Sequence, residues 1–368
     1  MRKVLLITAV LVSVALLAAC AAPTAPAPVV QTVVVPQTVV AQQTVVVQQT
    51  VVAPQTVVVT APTVPVPAGP VEIAVIVKTG NSSFWQNVQT GAFAAQKELQ
   101  AQTPKLSVTF LGAQSESNIN EEINIVQSAI DRGVKAIVLA PSDVNALVPV
   151  VKSAKDAGIP VVVIDSLLAG DKSNYVSFLA TDNKAAGEAC AKAMLDLLAK
   201  EGKTEGKIQV MSYVAGVGSE IGRVGGFNDY IKANSKFTLL QTQYSNADMP
   251  TALNQTTNVL AANPDLVGIF GANEPTAIGM GRAIAQAKLG GKIVAIGFDG
   301  AKQLQDFVRD GTLQAIAVQS SFNMGYLGVK TAYDVSIGGK TVPATVDTGF
   351  LMVTKDNIDS QDAKNVLY

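Results

Sequence analysis

Polar and aromatic side chains recur in this sequence just after short apolar runs, and their types suit hydrogen bonding to a small uncharged polyol. Carboxylate, amide and guanidinium groups form planar, charge-assisted hydrogen bonds to vicinal hydroxyls. Aromatic rings can cover the C–H face of a sugar ring. A paired general acid and base beside a nucleophile does not accompany them. The candidate ligand-binding residues are Ser82, Phe84, Trp85, Asp165, Ser166, Arg223, Asn273, Asp299 and Gln319.

The composition argues against most enzyme chemistry. The 368 residues include no histidine, so the chain cannot hold a Ser-His-Asp or Cys-His centre or a histidine-rich metal site. No Walker A loop, Gly-x-Gly-x-x-Gly loop or Cys-x-x-Cys pair occurs. With 27 basic and 28 acidic residues, the formal net charge of −1 gives no general attraction to nucleic acid. We therefore predict a binding protein that has no catalytic residues, cofactor, metal or nucleic-acid partner.

The N-terminus predicts export from the cytoplasm. Arg2 and Lys3 precede an apolar run over residues 4–17, which is typical of a secretory signal peptide and short for a membrane span. Leu17-Ala18-Ala19-Cys20 resembles the bacterial lipobox, which implies a signal peptide over residues 1–20 and lipidation of Cys20. The expected location is extracytoplasmic, with a lipid anchor in the membrane. The alternative is an ordinary secretory signal that leaves Cys20 as a free thiol.

Residues 21–70 have the composition of a stalk. No charged residue occurs between Cys20 and Glu72, prolines are frequent, and Gln-Thr-Val-Val recurs every six residues from Gln31 to Gln55. This pattern predicts an extended, semi-flexible segment between membrane and folded domain. A hexapeptide β-helix is the alternative, but five short repeats would form fewer than two coils and could not bury a core.

From Val71 onward, apolar β-branched runs alternate with segments of helical period. The run Val161–Ile164 is apolar at every position, which indicates a parallel strand buried on both faces. Phe84, Val88 and Ala92 recur at the spacing of a helix that covers such a sheet. The predicted strands are Val71–Lys78, Leu106–Leu111, Lys135–Ala140, Pro160–Asp165, Tyr175–Ala180, Lys207–Tyr213, Thr238–Tyr244, Leu266–Gly271, Lys292–Phe298, Leu313–Gln319 and Ala344–Val353.

More than ten strands favour two sheets, one per domain. Repeated strand–helix–strand units imply open, doubly wound parallel sheets of Rossmann-like topology. Ligands bind to such sheets beyond the carboxyl ends of the strands. The candidate residues named above follow predicted strand ends, or lie on the helices that begin there. The fold class is therefore α/β, with two doubly wound lobes and a ligand site at their strand ends.

In type and order, the candidate residues resemble the binding residues of bacterial periplasmic sugar-binding proteins of the ribose-binding type. These proteins are the solute receptors of ABC importers, and the resemblance runs from about Val71 to the C-terminus. Arg223 precedes a Gly-x-Gly-Phe-like stretch as in that family. The other matching motifs are Asn81-Ser82-Ser83-Phe84-Trp85, Asp165-Ser166, Phe270-Gly271-Ala272-Asn273-Glu274, Gly297-Phe298-Asp299-Gly300 and the late Gln319.

Three departures from the family pattern affect specificity. Ser82 stands where the ribose binder has an asparagine, and Ser166 stands where it has an arginine. An aromatic of the second lobe falls near Ala247, where Met249 could fill the gap. The shortened side chains argue against ribose and for a larger pocket that admits a hexose, a cyclitol or another polyol.

The resemblance implies two lobes joined by a three-strand hinge, with the sugar in the cleft between them. The N-terminal lobe is expected over residues 71–180 plus 320–346, and the C-terminal lobe over residues 181–319 plus 347–368. The chain would cross near Ala180–Asp182, Gln319–Ser320 and Val346–Thr348. Hinge closure around a monosaccharide or polyol, permease subunits of an ABC importer as partners, and a monomeric state follow from the same resemblance.

Other functions remain open on the sequence alone. The same site would serve a sensory module that reports sugar to a membrane kinase or chemoreceptor, or a binder of a nucleoside or furanosyl signal. Several candidate residues also have plainer roles. Asp299 and Asn273 could cap helices, Phe84 and Trp85 could belong to the core, and Arg223 could pair with a surface acid.

Overall fold

Two sheets organise residues 70–368, the part of the chain that the computed structural model describes. The first sheet has six strands in the order β12-β5-β4-β3-β1-β2, and every pair in it is parallel. We call this sheet and its helices the first lobe. Its strands are β1 (Val71–Val77), β2 (Leu106–Gly112), β3 (Ala136–Leu139), β4 (Val161–Ile164), β5 (Ser177–Ala180) and β12 (Thr345–Asp347).

The second sheet, with its helices, forms the second lobe. Its order is β13-β11-β10-β9-β6-β7, and β8 also pairs with β6. All pairs are parallel except β13 with β11, which is antiparallel. The strands are β6 (Lys207–Ser212), β7 (Thr238–Leu239), β8 (Gln243–Tyr244), β9 (Leu266–Gly271), β10 (Val294–Phe298), β11 (Ala315–Gln319) and β13 (Phe350–Thr354).

Helices pack on both sheets. Those of the first lobe are α1 (Ser83–Leu99), α2 (Ile119–Asp131), α3 (Val148–Asp156) and α9 (Ser321–Ser336), with a short 3₁₀ helix at Lys172–Asn174. Those of the second lobe are α4 (Asn183–Lys200), α5 (Gly218–Asn234), α6 (Met249–Ala262), α7 (Glu274–Gln286), α8 (Lys302–Asp310) and α10 (Gln361–Val366). Among the helices of the described residues, none is both long enough and apolar enough to span a bilayer.

The first sheet is buried on both faces because helices cover each side. Strand β1 shows the two-residue period of this burial. Ile73 and Val75 pack into the cluster formed with α1 and α9, whereas Ala74 and Ile76 pack into the cluster formed with α2 and α3. A continuous apolar run is the sequence consequence of two buried faces. The α/β fold with two parallel-sheet lobes that the sequence predicted is confirmed.

Two of the predicted strands are wrong in detail. The segment predicted as one strand over residues 238–244 forms the short strands β7 and β8, separated by three residues. The segment predicted over residues 344–353 also divides, because Gly349 adopts a left-handed φ of 74° and turns the chain. Its first half joins the first sheet as β12, and its second half joins the second sheet as the antiparallel β13.

The chain passes from one sheet to the other three times within residues 70–368. The passages are residues 181–182, 320 and 348–349. The first and third passages lie side by side, because Thr348 N donates to Ala180 O at 3.0 Å and Thr181 Oγ1 donates to Gly349 O at 3.1 Å. The predicted signal peptide, Cys20 and the predicted stalk up to residue 69 lie outside the described residues.

Candidate ligand-binding site

The carboxyl ends of strands from both lobes meet around a small cavity of about 20 Å³. Its walls come from both lobes, so a molecule held there contacts both. The structure brings eight of the nine predicted site residues to this cavity, and only Ser166 is not among its lining residues. The eight are Ser82, Phe84, Trp85, Asp165, Arg223, Asn273, Asp299 and Gln319.

A larger groove, of about 660 Å³, lies at the opposite end of the first sheet. It sits at the starts of β3 and β4, and its two lysines, Lys135 and Lys155, are exposed to solvent. The small cavity instead brings together carboxylates, a guanidinium and aromatic rings that are removed from water. Buried and polar convergence of this kind is typical of a ligand site, so the small cavity is the candidate.

Asp165 in the first lobe is paired with a lysine that the sequence interpretation missed. Asp165 directly follows β4, and Lys78 directly follows β1, two strands away in the sheet. Lys78 Nζ donates to Asp165 Oδ2 and to Ser166 Oγ, both at 2.7 Å, and lies 5.6 Å from the centre of the Trp85 ring. The lysine therefore occupies the place beside Ser166 where a larger pocket was expected. Lys78 thus places a cation beside Ser166.

Asp299 in the second lobe is held by two donors. Its Oδ1 accepts from Gln319 Nε2 at 2.8 Å, and its Oδ2 accepts from the backbone N–H of Glu274 at 2.9 Å. Burial raises the pKa of Asp299 to about 6, although the nearby Arg223 guanidinium acts to lower it. Asp299 does not cap α8, whose N-terminal cap position is Ala301.

Arg223 is held by the protein, with no carboxylate partner in the part of the chain that the structure describes. Its Nε and Nη2 donate to Asn183 Oδ1 at 3.2 and 2.6 Å, and its Nη1 donates to Ala272 O at 2.6 Å. The guanidinium lies 3.6 Å from the centre of the Phe298 ring. Only 2 % of the residue is exposed, so it is not a surface ion pair. The Arg223 guanidinium is therefore held in the cavity wall, where it can donate hydrogen bonds to a ligand.

Phe84 and Trp85 belong to both the core and the cavity wall. The rings meet edge to face, with centroids 4.8 Å apart and planes at 87°. Ser82 caps α1 by accepting from Trp85 N at 3.4 Å, and Trp85 Nε1 donates to Glu116 Oε1 at 2.9 Å. Burial raises the pKa of Glu116, and the charge of Lys78 acts to lower it.

Two amide side chains complete the wall. Asn273 does cap a helix, since its Oδ1 accepts from Thr276 N at 3.2 Å at the start of α7, and it lines the cavity as well. Gln319 donates through Nε2 to Asp299, but its buried Oε1 has no hydrogen-bond partner among the described residues. Buried acceptors in native proteins nearly always have a donor. Gln319 Oε1 is therefore available to accept a hydrogen bond from a molecule in the cavity.

Direct contacts also join the lobes around the cavity. Ser166 Oγ donates to Ser219 Oγ at 2.9 Å, and Ser83 N donates to Glu274 Oε1 at 2.9 Å. Each bond runs from the first lobe to the second. The lobes therefore meet on two sides of the cavity.

Six lining residues were not among the predicted site residues, although Glu274 was part of a matching motif, and the region of Ala247 and Met249 was expected at the site. Lys78 and Tyr213 are the last residues of predicted strands and directly follow β1 and β6 in the structure, so the strand-end rule would have found them. Neither Ala247 nor Met249 lines the cavity. No group of three metal-binding side chains occurs among residues 70–368. The additional lining residues are Lys78, Glu116, Tyr213, Ser219, Glu274 and Pro275.

Comparison with known proteins places this geometry in a family. Residues 73–341 match the family described as periplasmic binding protein domain. The chain is 30% identical over 287 residues to the D-allose-binding periplasmic protein of Escherichia coli (strain K12), covering 77% of this chain and 90% of that protein. It is 31% identical over 285 residues to the ribose import binding protein RbsB of the same organism, with the same coverage of 77% and 90%.

A solved structure gives the same result. An ABC transporter solute binding protein from Agrobacterium vitis, with D-fucose bound, superimposes with a TM-score of 0.77 at 60% sequence identity. The match covers 81% of this chain and 100% of that one. These findings confirm the resemblance that was drawn from the sequence motifs.

Proposed function

Because the chain belongs to the periplasmic binding protein family, we propose that it is the extracytoplasmic receptor of an ABC-type sugar importer. Its ligand is a monosaccharide or polyol, bound between the two lobes at this cavity. The cavity of about 20 Å³ has room for about one water molecule, so the wall must move apart to admit a sugar. The relatives compared above are named for allose and ribose binding, and one was solved with D-fucose bound. Allose, ribose and fucose are small, uncharged and rich in hydroxyl groups, and the polar groups of the cavity wall can form hydrogen bonds with such molecules.

The proposal rests mainly on polar groups in the cavity wall that can form further hydrogen bonds or ion pairs. Within residues 70–368, Gln319 Oε1 is a buried acceptor without a donor, and Arg223 is a buried cation without a carboxylate partner. A sugar hydroxyl donates and accepts at once, so it can satisfy both kinds of group. Asp165 and Asp299 add one carboxylate from each lobe, and the Phe84 and Trp85 rings provide an apolar face.

We propose further that sugar binding closes the two lobes about the three passages. Asp165 lies on the first lobe and Arg223 and Asp299 lie on the second, so neither lobe holds the whole site. A ligand that contacts both lobes favours the arrangement that brings them together. A monosaccharide has about a dozen heavy atoms, so a roughly micromolar Kd needs about −0.7 kcal/mol per atom. Enclosure by both lobes supplies that density of contacts.

The pocket chemistry bears on which sugar is bound. Ser166 is short, but Lys78 supplies a cation beside it, so the first lobe keeps a charged donor next to Asp165. A lysine presents a compact ammonium, whereas an arginine presents a planar fork that binds two acceptors at once. We propose that Lys78 beside Ser166, in place of the arginine of the ribose binder, moves specificity away from ribose and toward another pentose, a hexose or a cyclitol.

We also propose that the mature protein is anchored through a lipid on Cys20 and extends from the membrane on residues 21–70. The Leu-Ala-Ala-Cys sequence after a basic and apolar start supports this. Such an anchor would keep the receptor beside the permease subunits with which it works as a monomer. Mass spectrometry of the membrane fraction tests the anchor, because lipidation adds mass to a peptide that begins at Cys20.

The function is tested by a thermal-shift screen of the mature chain against pentoses, hexoses, cyclitols and nucleosides. A ligand that binds only the native state raises Tm as its concentration rises. We expect a concentration-dependent rise with at least one sugar or cyclitol. The single tryptophan, Trp85, lines the cavity and gives a second readout through its fluorescence. A rise with nucleosides alone contradicts the sugar assignment.

A further inference from the structure

Glu274 joins the two lobes at one side of the cavity. It is the first residue of α7 in the second lobe, and only 3 % of it is exposed. Its Oε1 accepts from Ser83 N at 2.9 Å and from Ser83 Oγ at 3.1 Å. Ser83 is the first residue of α1 in the first lobe, where free N–H groups and the helix dipole favour a negative charge. One carboxylate oxygen of the second lobe thus binds two donors of the first.

The other carboxylate oxygen of Glu274 is also occupied by the protein. Its Oε2 accepts from the hydroxyl of Tyr368 at 3.0 Å. Tyr368 is tied to the second lobe through its backbone N–H, which donates to Gly300 O at 3.3 Å, and its side chain packs against the cores of both lobes. The Glu274 side chain is therefore held in place by its own lobe while it reaches the other.

Glu274 is also connected to the sugar site through its backbone. Its N–H donates to Asp299 Oδ2, and its bonding partner Ser83 lies between the site residues Ser82 and Phe84. Burial raises the pKa of Glu274 to about 7, with a further contribution from the charge of Asp299. Burying this carboxylate has a cost, so its retention needs compensating interactions, and two of its three donors, the N–H and Oγ of Ser83, lie on the opposite lobe.

The bonds from Glu274 to Ser83 form only when the lobes are together. We propose that Glu274 is a closure latch: a positioning residue that raises the affinity for every sugar by stabilising the closed arrangement, and does not select among sugars. This inference rests on the proposed sugar-binding function. The Glu274 carboxylate accepts three hydrogen bonds from the protein, whereas Asp299 accepts two and the buried Gln319 Oε1 accepts none from residues 70–368.

Two single variants remove the latch from opposite sides. Glu274→Ala deletes the acceptor. Ser83→Pro deletes both donors, and proline suits this position because it is the first residue of a helix and follows the extended Ser82 at φ −108° and ψ 154°. Glu274→Gln keeps an acceptor oxygen without the charge. Thermal melts of each variant without sugar confirm that it is folded.

The test measures Kd for D-allose, D-ribose and D-fucose with the full mature chain, by calorimetry or by Trp85 fluorescence. Glu274→Ala removes hydrogen bonds to a charged group. We therefore expect the affinity for each sugar that binds to fall by the same factor, about ten- to a hundredfold. Ser83→Pro should have a similar effect, and the double variant should lose little more than either single one. Glu274→Gln should stay closer to wild type than Glu274→Ala.

A loss that differs severalfold between sugars would mean that Glu274 contacts the ligand and would overturn the latch. Unchanged affinity in Glu274→Ala, or additive losses in the double variant, would also overturn it. Failure of wild type to bind any sugar is a separate result, since it contradicts the proposed function. Small-angle scattering of the sugar-free protein provides an independent measure, with a larger radius of gyration expected for Glu274→Ala than for wild type.

Discussion

Asp165 and Asp299 occupy equivalent positions in the two lobes. Each directly follows a central strand, β4 or β10, and each has a left-handed backbone, with φ of 62° and 79°. The N–H of Asp165 donates to Leu179 O on β5 at 3.0 Å, and the N–H of Asp299 donates to Ala317 O on β11 at 2.7 Å. Equivalent strand ends of two similarly wound sheets thus bring one carboxylate each to opposite sides of the same cavity.

The equivalence makes Asp299→Asn an informative change. Asparagine also tolerates the left-handed region, so the variant should fold, but the carboxylate charge is lost. We expect the affinity for sugar to fall roughly ten- to a hundredfold, because charged hydrogen bonds to the ligand are replaced by neutral ones. Calorimetric titration measures the change. Asp306→Asn, which alters an exposed pair with Lys302, is the matched control and should bind as wild type does. Wild-type affinity in Asp299→Asn would contradict the site assignment.

The Lys78–Asp165 pair should support both stability and binding. Their side chains are 3 % and 4 % exposed, so Lys78→Met leaves a buried carboxylate without its cation. Breaking a buried pair from one side costs about 3–5 kcal/mol of unfolding free energy. The double variant Lys78→Met with Asp165→Asn should recover much of that loss in urea unfolding, yet should still bind sugar poorly. Recovery of both properties would show that the pair has only a structural role.

A neighbouring pair of glycines in α5 tests how Arg223 is positioned. A Cβ at Gly226 would lie 2.3 Å from the backbone oxygen of Lys184 on α4, whereas a Cβ at Gly225 would meet nothing within 4 Å. Gly226→Ala should force α4 and α5 apart, cost about 1–3 kcal/mol and weaken sugar binding. Gly225→Ala should be neutral or stabilise the helix by up to about 1 kcal/mol. Equal effects in denaturant titrations of the two variants would show that close helix packing is not required.

Glu122 should make stability depend on pH. Burial raises its pKa to about 7 in the folded protein, although Ser142 donates to its Oε2 through both N and Oγ. A folded pKa above the ordinary value of 4.5 means that the carboxyl group stabilises the fold fully below about pH 4.5, and that this contribution is lost as pH rises through 7. The loss amounts to about 3 kcal/mol.

Glu122→Gln isolates that contribution, because the amide does not ionise. The difference in unfolding free energy between wild type and this variant should move in favour of the variant as pH rises from 4.5 to 8. Urea titrations at several pH values measure it, and the wild-type-minus-variant difference removes the contributions of the other buried carboxyls. A difference that stays constant with pH would contradict the raised pKa.

Local pattern determined the elements and most of the site of this protein. Strands buried on both faces leave continuous apolar runs, so β4 and β9 were predicted nearly to the residue. Residues directly after those runs, such as Asp165 and Asp299, were predicted as site residues because parallel strand ends converge. The same strand-end rule pointed to Arg223 and Gln319, and the motif resemblance then matched both to binding residues of the family.

Only the tertiary structure decided which distant groups pair. Lys78 and Asp165 are 87 residues apart, and Ser83 and Glu274 are 191 apart, so no local spacing connects them. Strand order decides the first pair, and the approach of the two lobes decides the second. The split of residues 344–353 between two sheets has the same origin, since the partner strands lie far away in sequence. Sequence records which side chains prefer to be buried, whereas the partners that compensate a buried charge are fixed only when the chain folds.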